Sequence, residues 1–227
     1  MTSVPLELFW ISGSPYSWRV MLTLELKQIP YTARLLEASK GEHKTPRFLA
    51  LNPRGKVPVL RDGEVVVGES LAIMQYLERK YPATPMFGRT PREAGAIARV
   101  ISEFDAYLRA PLLRVSTPIL FRKSAEKADD IRAAIPEVHG ELERLEQAAA
   151  HSSWLAGNEP GAADAAVYPF LKLLLRAAAK PEAAAFDLAL LPFEDRYPAL
   201  AAWMGQVEGL VGYDRTYPPH WRETVAA

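Results

Sequence analysis

The chain changes character between Pro82 and Pro91. Before that stretch, short β-rich runs alternate with helical ones; after Pro82, Pro85 and Pro91 the β signals nearly vanish, and the remainder reads as helices rich in Ala, Leu, Glu and Arg. Such a switch predicts a mixed α/β unit followed by an all-α helical unit, with a boundary near residues 82 to 91. In the first part, strand-like runs fall at Leu6 to Ile11, Tyr31 to Leu36, Val57 to Leu60 and Val65 to Val67. The last two are joined by Arg61-Asp62-Gly63-Glu64, and Asp-Gly between Val-rich runs is a hairpin signal. Helical spacing appears over Ser17 to Gln28 and Leu71 to Tyr81, so the order is βαβ and then ββα. The second part reads as helices over about 92 to 122, interrupted by Pro111 and Pro118, then 126 to 150, then 162 to 180 with an internal Pro169.

The 227 residues suffice for two small domains or one large one with a sizeable core. Lys and Arg total 27, as do Asp and Glu, so no long-range field favours nucleic acid or an anionic membrane. Met1 to Pro5 lacks a basic region followed by an apolar core, and no apolar run approaches the ~20 residues of a membrane helix. The expectation is a cytoplasmic protein with no nucleic-acid or membrane partner. The chain has no cysteine, which removes disulfides, thiolate nucleophiles and cysteine-ligated metals. Any thiol in its chemistry must come from a ligand, and no metal is expected.

Two stretches stand out: Ser12-Gly13-Ser14-Pro15-Tyr16-Ser17, where a strand gives way to a helix, and Lys56-Val57-Pro58-Val59-Leu60 followed by Gly68-Glu69-Ser70. Ser14 before Pro15 fits a helix N-cap; alternatively its hydroxyl points outward, at the positive end of the helix, towards a ligand anion. Lowering a thiol pKa from ~8.5 by ~2 units takes about 2.7 kcal/mol. One hydrogen bond to a charged group contributes roughly 1.5–3 kcal/mol, so one serine is energetically sufficient. Ser12, placed on the strand end, and Ser17, inside the first turn, are weaker candidates, while the Tyr16 phenol is a rival donor. Pro58 is either the first residue of an edge strand or a cis-proline that turns the Val57 backbone towards a peptide-like ligand. Glu69-Ser70 suits a helix start or a ligand cation, and Lys40-Gly41-Glu42-His43-Lys44 lies in a long connection of the kind that often carries function.

In combination these segments resemble the glutathione S-transferase superfamily over essentially the whole chain. The run K-G-E-H-K-T-P-R-F-L-A-L-N-P-R-G-K-V-P-V-L (Lys40 to Leu60) is similar to phi-class enzymes and many bacterial relatives, and G-E-S-L-A-I-M-Q-Y-L-E-R-K-Y-P (Gly68 to Pro82) fits the same superfamily. The Ser14-Pro15-Tyr16-Ser17-Trp18-Arg19-Val20 run also resembles tau and zeta enzymes and bacterial β-etherases. The resemblance implies a thioredoxin-like glutathione-binding domain over 1–83 and an all-α helical-bundle domain over 91–227. It assigns Ser14 to the thiolate, Val57 beside cis-Pro58 to the cysteinyl backbone, and Glu69 and Ser70 to the γ-glutamyl end. His43, Lys44 and Lys56 fall at the glycyl end. The charges agree, since cations and a helix N-terminus would meet the two carboxylates of glutathione and Glu69 its ammonium.

There are departures from the pattern. Gly161-Ala162-Ala163-Asp164 offers glycine where relatives carry Ser or Thr in a capping box, so Asp164 is expected to keep only part of that role. Ser14-Pro15-Tyr16 replaces the zeta-like Ser-Ser-Cys, which counts against maleylacetoacetate isomerase chemistry, and the missing cysteine counts against thiol transfer through an enzyme thiol. A second substrate is expected beside the thiolate, near Tyr16, Tyr107 and Pro111, with Leu112 and Val115 at the same helical spacing; ordinary helix packing is the competing account. Tyr213, Tyr217 and Trp221 either lid the site or pin the terminus.

The resulting expectation is a cytoplasmic, homodimeric detoxification transferase that conjugates glutathione, its co-substrate, to a small hydrophobic electrophile. The alternatives are a glutathione-dependent isomerase, β-etherase or dehalogenase, and a non-catalytic glutathione-fold module.

Overall fold

The structure is a computed structural model and describes residues 6–222. By its contacts the chain divides into two units. One holds the chain up to Met86 together with the stretch from Leu210 onward; the other is Phe87–Gly209. The stretch from Leu210, read from sequence as the end of the helical half, therefore packs with the first unit.

In the first unit, β1 (Leu6–Trp10), α1 (Pro15–Leu26) and β2 (Tyr31–Leu35) form the βαβ segment. After a connection containing the short α2 (Pro46–Leu49), the hairpin β3 (Val59–Asp62) and β4 (Val65–Gly68) leads into α3 (Ser70–Lys80). The sheet order is β2-β1-β3-β4, with β1 and β2 parallel and the other pairs antiparallel. Alternation along the strands separates two faces. Leu6, Leu8 and Trp10 are buried, with Leu60 directly opposite Leu8. Together with Val20 and Leu24 of α1 and Ile73, Met74 and Leu77 of α3 they make the core of this unit. On the other face, Glu7 receives a hydrogen bond from Arg34 at 2.8 Å and another from Arg61 at 2.6 Å, while Phe9 meets Phe48 of α2 edge-on. Inside the unit, Lys27 at the end of α1 donates to Glu78 of α3 at 2.7 Å.

The returning tail carries α10 (Tyr213–Thr216) and α11 (Pro219–Arg222). It is organised around Trp18 of α1, whose indole N–H donates to the Thr216 hydroxyl at 2.7 Å. The rings of Tyr213, Tyr217 and Trp221 surround the same indole at centroid distances of 6.2, 5.7 and 5.5 Å. Arg215 pairs with Glu25.

The second unit comprises α4 (Pro91–Glu103), α5 (Arg109–Leu120), α6 (Ala128–Ala149), α7 (Ala162–Ala178), α8 (Phe193–Arg196) and α9 (Pro198–Glu208). Thr90 and Glu93 form a capping box at the start of α4. Instead of the breaks expected at Pro111 and Pro118, α4 runs into α5 through a single π-helical turn, Phe104–Leu108. Pro111 has no N–H for the carbonyl one turn back, and the ladder upstream widens, with the Arg109 N–H reaching the Phe104 carbonyl. In the first turn of the buried helix α7, Asp164 accepts N–H bonds from Gly161 at 2.8 Å, Leu155 at 3.0 Å and the Trp203 indole at 2.8 Å. Its carboxylate thus does more than cap, tying the loop before α7 to α9. Among the described residues no helix is long and apolar enough to cross a membrane.

Candidate active site

Strand register gathers the candidate residues of the first unit. Val59 stands opposite Gly68 in the last pair of the β3–β4 ladder, so Val57-Pro58, just before β3, and Glu69-Ser70, just after β4, emerge from the same end of the hairpin. Phe9 stands opposite Val59, so the end of β1 lies beside the start of β3, and the Ile11–Ser14 turn begins there. Because β2 runs parallel to β1, the 36–56 connection leaves from that end as well, with the Leu36 N–H bonded to the Trp10 carbonyl at 2.8 Å. One end of the sheet therefore carries Ser14, Tyr16, Val57, Pro58, Glu69 and Ser70 together with the loop bearing His43, Lys44 and Lys56.

Ser14 caps α1. Its oxygen accepts the Ser17 N–H at 3.3 Å, and its own N–H closes the turn on the Ile11 carbonyl at 3.1 Å. A hydroxyl has one proton and two acceptor sites, so the capping role leaves the Ser14 proton for a ligand. The two sequence readings of this serine are compatible. Ser12 lies in the turn rather than on the strand, and its oxygen is 2.7 Å from His220 Nδ1. The Ser17 hydroxyl is buried and has no partner among the described residues. Tyr16 is half-buried in the first turn of α1, with the Arg19 guanidinium over its ring.

The Val57–Pro58 peptide is cis, and both residues lie ahead of the ladder that starts at Val59. Glu69, immediately before α3, has φ 65° and ψ 119°, a backbone conformation that residues with a Cβ adopt rarely. Ser70 is buried at N1 of α3. In the connection, Lys44 donates to the Gly55 carbonyl at 2.9 Å, which joins the His43–Lys44 segment to Gly55-Lys56. His43 keeps a buried ring nitrogen, Nδ1, without a partner among the described residues, and Lys56 is exposed.

Of the candidates in the helical unit, Tyr107, in the π-helical turn, is 61% exposed, whereas Pro111, Leu112 and Val115 are buried. A cleft of about 720 Å³ lies between the sheet face bearing Glu7 and Phe9 and the connection after β2, lined also by Arg34, Glu42, Phe48 and Arg61, and none of the predicted site residues lines it. Sequence reasoning missed Asn52, whose amide donates to the Lys56 carbonyl at 2.8 Å and whose oxygen accepts the Arg54 N–H at 3.1 Å, stitching the loop together. Its local signal was the Asn52-Pro53 turn. It also missed His220, which no local pattern marks. Among the described residues no cluster of three or more His, Cys, Asp or Glu is placed to hold a metal ion.

Comparison with known proteins agrees with the fold. Residues 13–80 match the model of the glutathione S-transferase N-terminal domain, and residues 128–206 that of the C-terminal domain. The chain is 30% identical to glutathione S-transferase A of Pleuronectes platessa, covering 96% of this chain and 94% of that one. It is 33% identical to a maleylacetoacetate isomerase of Pseudomonas aeruginosa over 73% of this chain and 80% of the relative. Among solved structures, a glutathione S-transferase from the Antarctic clam Laternula elliptica superposes with a TM-score of 0.83 at 29% identity, covering 97% of this chain and 95% of that one.

Proposed function

Because the chain belongs to the glutathione S-transferase family, and is a transferase of the glutathione-conjugating kind, we propose that Ser14 donates its hydroxyl proton to the glutathione thiolate and that the electrophile it attacks is small and hydrophobic. Val57, next to cis-Pro58, pairs with the cysteinyl backbone, Glu69 and Ser70 hold the γ-glutamyl end, and His43, Lys44 and Lys56 meet the glycyl carboxylate. The observation that supports this reading is the strand pairing: the segments before β3, after β4 and after β1 all emerge from one end of the sheet.

The chemistry follows from that arrangement. The bound thiol loses its proton to solvent. The sulfur keeps the electron pair, stabilised by the Ser14 hydroxyl and the N-terminal end of α1, while the Ser14 oxygen continues to accept the Ser17 N–H. The thiolate pair then forms the C–S bond. With a halide substrate the carbon–halogen pair leaves with the halide; with an enone the displaced pair takes up a proton at the α-carbon. Orientation and anion stabilisation supply the acceleration.

Ser14→Ala tests the assignment. The apparent pKa of bound glutathione should rise by roughly 1–2 units, from loss of a charged hydrogen bond of about 1.5–3 kcal/mol, while affinity changes little. Thiolate absorbance titrated against pH measures it, and an unchanged curve moves the role to Tyr16 or Ser12. Calorimetry on the Glu69→Ala/Ser70→Ala double variant should show weakened binding; wild-type affinity would remove both from the site. A panel of aryl halides, enones, peroxides and aryl ethers identifies the electrophile and separates conjugation from isomerisation or ether cleavage. The same reading gives a cytoplasmic two-fold homodimer, for which light scattering should return twice the mass of the chain.

A further inference from the structure

The C-terminal tail does more than cover apolar surface. Its aromatic cluster on Trp18 sets the direction of the last described helix, α11, and that helix lies over the Ser12-Gly13-Ser14 turn. His220 Nδ1 stands 2.7 Å from the Ser12 hydroxyl oxygen. A Cβ at Gly13, which has φ 80°, would stand 2.9 Å from His220 Cε1 and 3.2 Å from Trp221 Nε1. The turn and the imidazole are thus in van der Waals contact, and only a residue without a side chain fits between them. The tail itself is held on α1 at independent points: Trp18 to Thr216, the Trp18–Trp221 ring contact and Arg215 to Glu25.

We propose that His220 is a positioning residue for the transferase reaction: by holding the Ser12 hydroxyl and closing on Gly13, it fixes the turn from which Ser14 presents its proton to the thiolate. This inference rests on the assignment of Ser14 made above. Ser14 is the second residue after Ser12, and its backbone closes the same turn on Ile11. Displacement of Ser12 therefore redirects Ser14, and a donor displaced by a fraction of an ångström loses much of a charged hydrogen bond. Ser12 has a single hydroxyl proton and one hydrogen-bond partner already in place, so its part is to hold the turn.

The experiment is a double-mutant cycle on the full chain, with glutathione as the probe. It uses Ser12→Ala, His220→Ala, the double variant, and His220→Asn, whose side-chain amide occupies the place of Nδ1. The readout is the pH titration of bound thiolate, alongside glutathione affinity by calorimetry and thermal unfolding. Each single variant should lower the thiolate fraction at neutral pH roughly three- to tenfold, the double variant no further than the larger single one, and His220→Asn should recover most of the loss. A general loss of tail packing would lower the unfolding temperature without shifting the thiol titration, and that result overturns the proposal. So does strict additivity, a wild-type titration in His220→Ala, or a Ser12 effect far larger than that of His220, which would make Ser12 itself the donor. If the wild-type protein binds no glutathione as thiolate, the Ser14 assignment falls and this inference with it; if it does and the His220 variants match it, this inference alone falls.

Discussion

Glu69 enters α3 with φ 65° and ψ 119°, a conformation that costs a side-chain-bearing residue of order 1–3 kcal/mol. It follows Gly68, which pairs with Val59 next to the cis-proline, and so stands at the sheet end proposed above to meet the ligand. Removing the Cβ therefore separates stability from binding. Glu69→Gly should leave the unfolding free energy unchanged or raise it by up to about 1–2 kcal/mol, the relief of strain being offset by the greater freedom of glycine in the unfolded chain. Glutathione affinity should fall about tenfold or more through loss of a charge-assisted contact. Denaturant unfolding and calorimetry on one preparation check both signs; a loss of stability would show that Glu69 is unstrained. This strain was not legible in the sequence, where Glu-Ser before an apolar run reads equally well as an ordinary helix start. Ser14 was legible, because Pro15 fixes the first helical position and so fixes which residue is the cap.

At the scale of elements, the buried His139 joins α6 to the segment before α9. The Leu188 carbonyl can only accept, so the Nε2–H of His139 donates to it at 2.8 Å, and Nδ1 accepts the Tyr197 O–H at 2.6 Å. Burial holds the imidazole pKa below its usual value, and the neighbouring Arg196 adds to that against the Leu188 hydrogen bond and the Glu143 and Asp187 carboxylates. The unfolded chain thus takes up a proton on His139 at a pH where the folded chain does not. The resulting stability is fully present above about pH 6.5 and is lost as the pH falls towards the depressed folded value. Urea unfolding between pH 7.5 and 5.5 should show the wild type losing stability with acid more steeply than His139→Gln. Equal slopes would show that His139 does not carry the effect. Glu7 acts in a lower window: burial raises its carboxyl pKa, but Arg61 and Arg34 outweigh burial and hold it below the usual 4.5, so its contribution is lost only as the pH falls below that value. The elements themselves were readable where chemistry is local, as in the Asp62-Gly63 hairpin, though the Thr90/Glu93 cap, equally local, went unread. The π-helical turn was not: Pro111 announced a disturbance, but whether a helix breaks or widens is decided by packing on its neighbours.

Over the whole molecule, the least legible feature was the return of the tail. Ser12 meets His220 across 208 positions and Trp18 meets Thr216 across 198, and no periodicity encodes contacts so distant in sequence. The aromatic residues of the tail were visible, but their partner was not, since an exposed lid and a buried anchor share the same composition. Composition does fix one property of the entire chain without any structure: it has no cysteine. No thiolate in its reaction can then come from the protein, and the proposed nucleophile is that of glutathione. Treatment with iodoacetamide, followed by its removal, should leave conjugating activity intact. Incubation with oxidised glutathione should add no mass corresponding to a protein–glutathione disulfide, because exchange needs a protein thiolate to attack. Activity assays and intact-mass spectrometry read the two outcomes. Disulfide-substrate reduction should accordingly be weak beside conjugation. Efficient reduction without a protein adduct would require one glutathione to form the mixed disulfide and a second to resolve it, which would change the reaction assigned to the site while leaving glutathione in place.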